Sequence, residues 1–512
     1  MKDEIAKSLK LNRDLDKYIE RGISEGLPVK IGWGQAGDER PKNGEIGVIT
    51  HLPKKSKVIC LGNLGECSGS MNRGGTFTLK GSAASMFGSF HESGRTIVER
   101  DCGQRLGYMM KGGEVTIHGS VGDEAGSGMS GGTIVIRGQA GNRVGMGMTG
   151  GAILVMGSVG SEPCLGMTGG KAIVCGSCPP PSDEVEIRSI ETEEIVEFSR
   201  FVEPLGVSIN EDALVIEPSS KTSIQSSKPP SSIKTYFENV ALFPSGTEIP
   251  DHRPVVFHSV LERDSENDGG ILLPMPWIVS TENTKKWKGS FSGNQPAMVT
   301  ENPRENDLLL VGVDNIAKCI EFLGSCGGIV IDSSEFSDLN DAEIEGLIVS
   351  LTSRIPESSV VMVRGGFERV DEIFRIIMDL DIDGAIIDGS SPNGTKLVSV
   401  LPTIGIAAKN IGLRDSGKYV LIEFDKQPSA KDLLICLASG SNSVIAPFNE
   451  NIEKTLSEMS TELGGWMRQI GIENIERIGR RNLRAMDYET AAISGLRLVG
   501  YDRPLPIWLD SR

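Results

Sequence analysis

The chain is poor in the residues on which many functions depend. Aromatic residues make up 5% of its 512 positions, and it has five histidines. No catalytic triad suggests itself among His51, His91, His118, His252 and His258. No apolar run approaches the ~18–20 residues that a membrane span needs. The opening Met1-Lys-Asp-Glu-Ile-Ala-Lys-Ser8 lacks the apolar core of a secretory signal. The nine cysteines are odd in number and scattered, which argues against a disulfide framework. Basic clusters are missing too. The 52 basic residues face 69 acidic ones for a net charge of −17, which disfavours nucleic acid and anionic membranes as partners. A soluble, cytoplasmic protein of two or three domains is the expectation.

What is abundant is glycine, 63 residues of it, and it is periodic. Gly112-Gly-Glu-Val-Thr-Ile-His-Gly119, Gly131-Gly-Thr-Ile-Val-Ile-Arg-Gly138, Gly150-Gly-Ala-Ile-Leu-Val-Met-Gly157 and Gly169-Gly-Lys-Ala-Ile-Val-Cys-Gly176 are copies of one segment. Gly74–Gly81 is an earlier copy, and degenerate ones begin at Ser93 and Lys55. The starts fall every 19 residues without slipping, as stacked coils require, because an insertion would break the register between neighbours. Within each copy two apolar residues alternate with others, as in Val115 and Ile117 or Ile134 and Ile136, which marks a short strand with one buried face. Stacked, these strands predict a right-handed parallel β-helix of seven coils over residues 55–181. Met110, Met129, Met148 and Met167 form a second column, read as interior packing, with a methionine-lined groove as the alternative.

Cys175-Gly-Ser-Cys178 at the end of the last coil is a lone CxxC. With Cys164 as its one near companion in sequence, a structural role is the plain reading, and metal or redox chemistry the alternative. No metal site is assigned. Residues 1–54 hold an amphipathic helix over 2–25, read as a lid on the first coil. Pro179-Pro-Pro181 should end the strand ladder. Residues 182–235 read as an acidic stretch followed by a Ser/Pro-rich linker. Residues 236–512 alternate short apolar strands (255–259, 271–275, 308–313, 328–332, 359–363, 384–388, 419–424 and 443–447) with helical stretches at 315–323, 341–354, 368–379 and 430–438. Eight strands with helices between them suit an α/β (β/α)8, TIM-barrel-like domain, and a doubly wound open sheet is the alternative.

Two sets of motifs resemble a known family. Gly81-Ser-Ala-Ala-Ser-Met-Phe-Gly-Ser-Phe90, Gly126–Gly132 and Gly145–Gly151 are similar to the glycine-repeat domain of the glutamate synthase large subunit, a domain that also resembles a subunit of formylmethanofuran dehydrogenase. Ile271-Leu-Leu-Pro-Met-Pro276, Ile329–Ser334, Asp383–Gly389, Val420–Asp425 and Ile475–Leu483 resemble landmarks of the FMN-binding barrel of glutamate synthase, the last being its closing helix. The order of the two domains is reversed relative to that family.

The resemblance implies FMN as cofactor, and Arg364, Gly394, Thr395 and Gly440 as its contacts, at the carboxyl ends of barrel strands. It also implies partners among glutamate-synthase-type or other oxidoreductase subunits; a homo-oligomer is a further expectation. The departures are as informative. The family's flavin-side lysine is replaced by Met362 or Arg364. Its Asp-Gly-Gly loop reads Asp425-Lys426-Gln427, and its cluster-binding cysteines are missing from 446–455, so no iron–sulfur cluster is expected. No amidotransferase domain of its own is expected. Catalytic residues are not assigned. Two readings stay open: a glutamate-synthase-like oxidoreductase in glutamate biosynthesis, or a non-catalytic scaffold or regulatory subunit of an oxidoreductase complex.

Overall fold

The 19-residue period becomes a ladder of backbone pairing. The computed structural model describes residues 3–34, 40–41, 45–181, 185–219, 236–245, 248–250, 253–263, 270–280, 295–356, 358–389, 397–413, 415–448 and 452–500. Within them, Lys57 pairs with Thr76, Thr76 with Arg95, Arg95 with Glu114, Glu114 with Thr133, Thr133 with Ala152 and Ala152 with Lys171, all parallel. A second line of parallel bridges joins Leu64, Ala83, Cys102, Val121 and Ala140 in turn. Side chains keep the same step. The Ser120 amide donates to Asp101 Oδ1 at 2.8 Å and the Asn142 amide to Asp123 Oδ1 at 2.7 Å. The alternating apolar residues and all four methionines of the column fall into one buried cluster, so the methionines are core.

Each repeat also turns through three left-handed residues two apart, such as Arg105, Gly107 and Met109, or Glu124, Gly126 and Gly128. One further triplet, Gly47, Ile49 and His51, precedes the first repeat seen in the sequence. The Val29–Ile31 strand extends the same sheet, pairing with Lys57–Leu61. The Asp3–Glu25 helix covers this end, burying Leu15 and Ile19 against the cluster. Its buried Asn12 bonds the Gly47 carbonyl and the Ile49 amide.

At the other end the sheet does not stop. The parallel ladder ends at Gly169–Val174, but Leu214–Pro218 pairs with it antiparallel, and Val185–Ser189 pairs with Leu214–Pro218. Pro179–Pro181 therefore ends the repeat, not the sheet. The Thr192–Val202 helix between the two added strands packs Phe198 and Val202 on Val135, Leu154 and Ile173, on the other side of the strands from the methionine column. Glu194, 5% exposed, anchors it by accepting from both Arg188 amino groups at 2.8 Å and from Lys171 at 2.5 Å.

Contacts group the chain into two compact units that are not two contiguous stretches. The first joins residues 1–228 with 313–320 and 338–355. Its Asp341–Thr352 helix carries Glu343, fully buried, whose carboxylate accepts from Arg105 at 2.6 Å and Gln104 at 3.1 Å. Tyr108 donates to Asp338, and Arg354 donates to Asp16 and the Thr50 carbonyl.

The second unit contains a closed barrel of eight parallel strands: Trp277–Ser280, Ala297–Val299, Leu308–Val311, Gly328–Asp332, Val360–Gly366, Gly384–Asp388, Tyr419–Glu423 and Ser443–Ala446. Pairing of Trp277 with Val444 closes it, which settles the choice against an open sheet. Ile278, Met298, Val330, Met362, Ile386, Leu421 and Ile445 fill the interior.

Two strands expected in the barrel lie outside it. Ser259–Leu261 and Ile271–Leu273 form an antiparallel hairpin whose Leu261, Ile271 and Leu273 plug the barrel's amino end. Pro274 and Pro276 lack amide hydrogens, so the first barrel strand begins only beyond them, at Trp277. The stretch 315–323 holds a short 3-10 turn, Cys319–Glu321, in place of a helix. The expected closing helix over 475–483 is two 3-10 turns around an extended Gly479, leading into the Leu483–Ala485 strand. The long helix nearby is Ile452–Ile470. Among the described residues no helix is long and apolar enough to cross a membrane.

Candidate functional site

Strand alternation places Val360, Met362 and Arg364 on the inside of the barrel in successive layers. The first two sit in the apolar core, and Arg364 rises above them at the carboxyl end. Either residue had stood as a substitute for the family's lysine. Met362 is fully buried packing, so the layer facing the mouth belongs to Arg364.

Three neighbouring strands end in acids, and all three reach this guanidinium. Nη1 donates to Asp332 Oδ2 at 2.8 Å, Nη2 to Asp388 Oδ2 at 3.0 Å and Nε to Glu423 Oε2 at 2.5 Å. The arginine is held from behind as well, its carbonyl accepting from Ser333 Oγ at 2.8 Å. Asp332 uses its other oxygen on the Ser334 hydroxyl. Burial opposes the charge on Arg364, but Glu423, then Asp332 and Asp388, outweigh it and raise its pKa. Burial likewise raises the Glu423 carboxyl, with Arg364 pulling the other way.

Beside this cluster lies a cavity of about 70 Å3, lined among others by Ser280, Arg364, Asp388, Glu423, Phe424 and Asp425. Tyr236 packs against two of its lining residues. The ring stacks on Phe424 at 4.4 Å, and the hydroxyl donates to Asp425 Oδ1 at 2.7 Å. The same hydroxyl oxygen accepts the Lys426 amide at 2.9 Å. Burial and then Asp425 push the Tyr236 phenol up, so it stays a neutral donor.

These residues do not fit FMN. A phosphate dianion calls for free backbone amides or uncommitted cations. Here the Lys426 amide is already taken, and the guanidinium is already bonded to three carboxylates. Pockets for ligands of that size span roughly 300–1,000 Å3, well above the cavity that the described residues form.

The other anticipated cofactor contacts do not join Arg364. Gly394 and Thr395 lie outside the described residues. Gly440 caps the Ala430–Ser439 helix, its amide bonding the Cys436 and Leu437 carbonyls. It thus enters Ser443–Ala446 from the amino end, not the carboxyl end where it was expected. The acids around Arg364 and the Tyr236 clasp were not singled out from the sequence. A usable signal was there: Gly328–Asp332, Gly384–Asp388 and Tyr419–Glu423 are apolar strands, each closing on an acid.

Cys175 and Cys178 face different apolar clusters, and burial raises both thiols, so neither is an activated thiolate. Among the described residues no group of three or more His, Cys, Asp or Glu side chains is placed to hold a metal ion.

No protein-family model matches the chain, and no curated protein matches it. Among solved structures, the inosine 5′-monophosphate dehydrogenase of Legionella pneumophila is similar over 50% of this chain and 99% of that one, with 11% identity and a TM-score of 0.32. Nothing about function follows from a likeness of that strength.

Proposed function

We propose that this chain is a glutamate-synthase-like protein whose barrel serves as a non-catalytic scaffold in an oxidoreductase assembly. The repeats, wound as a right-handed parallel β-helix, would be its docking wall. The observation that carries the reading is the occupation of Arg364. The cation best placed to meet a flavin is bound on three sides by Asp332, Asp388 and Glu423. To engage an anionic cofactor it would have to abandon three carboxylates that would then face one another without the cation between them. The Tyr236 clasp on the Lys426 amide supports the same conclusion. A fold can persist after its chemistry is gone.

Titration of the purified protein with FMN tests this. The scaffold reading expects no change in flavin absorbance or fluorescence at a large excess of protein. A preparation that retains yellow flavin, or binds it and passes hydride to it, would establish the enzyme reading instead. Co-purification with an amidotransferase-type or flavin-bearing subunit is the positive result expected of a scaffold.

A further inference from the structure

The ten-stranded sheet of the first unit ends on a strand with one unused side. Its order runs from Val29–Ile31 to Val185–Ser189, and among the described residues that last strand pairs with Leu214–Pro218 alone. The Ile190 amide donates to the Ala213 carbonyl at 3.0 Å, which fixes the phase of this antiparallel pair. Glu186 and Arg188 turn their backbone groups toward Leu214–Pro218, and Val185, Ile187 and Ser189 turn theirs away. The same phase puts Pro218 opposite Val185, where no amide hydrogen is needed. Among the described residues, the outward groups of Val185, Ile187 and Ser189 have no backbone partner. The Ser189 carbonyl accepts from its neighbour Arg188 at 3.1 Å, which leaves one lone pair. Exposed edges are normally defended by proline, lysine, a bulge or a covering element. Val185-Glu-Ile-Arg-Ser189 contains neither residue, and its register runs unbroken. The Thr192–Val202 helix packs back over Val135, Leu154 and Ile173, away from this edge.

We propose that this edge pairs with the same edge of a second copy of the chain, antiparallel and centred on Ile187. A two-fold contact must be self-complementary, and the sequence selects one register. Centred on Ile187, Glu186 of each copy stands opposite Arg188 of the other, a favourable cross-strand pair made twice. The outward amides and carbonyls of Val185, Ile187 and Ser189 then meet in hydrogen-bonded pairs. A centre at Glu186 or at Arg188 keeps the backbone phase but sets glutamate against glutamate or arginine against arginine, which is unfavourable. Glu186 is exposed, and its side chain has no ion-pair partner among the described residues. Arg188 keeps its bonds to Glu194 and Glu217, so Glu186 of the other copy joins the rim of an existing ion-pair cluster. On the opposite side of the strand, Ile187 packs on the apolar cluster of the repeats, and pairing sets the other copy's Ile187 beside it. The proposal stands whether or not the barrel binds flavin.

Sedimentation of the full chain over a range of concentrations tests this. The expected result is a reversible equilibrium between one chain and a species of twice its mass. Ile187→Pro removes an amide that serves no bond within the chain, and Glu186→Arg sets like charges opposite one another. Each should weaken the dimer roughly tenfold or more, with the melting transition of the monomer kept as the control for folding. Ile187→Cys reads the register. The central pair of such a contact holds its Cα atoms about 5.5 Å apart, within disulfide reach. Oxidation with copper phenanthroline should therefore give a reducible dimer with Ile187→Cys, and not with Glu186→Cys or the unsubstituted chain. A chain that stays monomeric at every concentration would overturn the proposal. So would a dimer that withstands both Ile187→Pro and Glu186→Arg. Assemblies that grow without limit would overturn it too, since they would mark head-to-tail pairing of this edge with Val29–Ile31 of the next copy.

Discussion

Arg364 ties the ends of four barrel strands together through one side chain. Replacing it with leucine leaves three carboxylates converging on an apolar group. We expect Arg364→Leu to cost about 3 kcal/mol at neutral pH. The cost should shrink as pH falls toward 5, because the freed carboxylates take up protons; urea unfolding at the two pH values measures the difference. Arg364→Lys should recover little, since an ammonium cannot reproduce a planar three-way fork.

His91 gives a test of opposite character. It is fully buried, with Nδ1 2.9 Å from the Gly112 carbonyl and Nε2 3.2 Å from Thr96 Oγ1. Burial lowers its pKa to about 4, against the pull of Gly112. Between the unfolded value near 6.5 and that value, the unfolded chain binds the extra proton. Stability is thus full above pH 6.5 and should fall by about 1.4 kcal/mol per pH unit down to pH 4. His91→Asn should flatten that slope in denaturation curves followed across the range.

The repeats make glycine positions unequal in a way their sequence hides. Gly151 has φ +86°, and a Cβ there would meet Met129 Cε at 2.7 Å and the Gly132 carbonyl at 2.8 Å. Gly147 is also left-handed, at φ +64°, but nothing lies within 4 Å of such a Cβ. Gly147→Ala should therefore cost only about 1 kcal/mol of backbone strain. Gly151→Ala adds a collision with backbone and should cost about 2–4 kcal/mol in chemical denaturation.

This is also where reading from sequence succeeds and fails. Strands buried on both faces announce themselves as apolar runs, and Gly328–Asp332 and Gly384–Asp388 fall where they were expected. Trp277–Ser280 and Ala297–Val299 were missed because they are short and the first follows two prolines. Ile475–Leu483 is a helix only by its resemblance to the family's closing helix, and an extended Gly479 between two 3-10 turns rules that out. Arg364 was legible as a residue of interest. Its commitments were not, since its partners come from strands 32, 24 and 59 residues away, and a local pattern carries no trace of them.

The first compact unit draws two pieces, 313–320 and 338–355, from between barrel strands. Residues 1–228 alone would lack Glu343, leaving Arg105, which is 13% exposed, without its 2.6 Å partner. They would also lack the Glu343 carbonyl that accepts from Cys67 at 3.1 Å. We expect residues 1–228 expressed alone to bind a hydrophobic dye and to unfold without a sharp transition. A peptide of residues 338–355 added in trans should sharpen that transition, as calorimetry would show.

The ladder of the repeats has a consequence for how such a chain can change length. From Lys57 to Lys171 the ladder pairs Thr76, Arg95, Glu114, Thr133 and Ala152 each with a residue 19 positions away, so the permissible unit of loss or gain is an entire repeat. Excising 131–149 would bring Gly150 into the place of Gly131 and let Ala152 meet Glu114 with all columns continuous. Trimming a single residue from the same stretch would turn buried methyl groups toward water in that strand and misalign both its neighbours. Growth and shrinkage of this sheet are thereby restricted to whole numbers of 19-residue repeats.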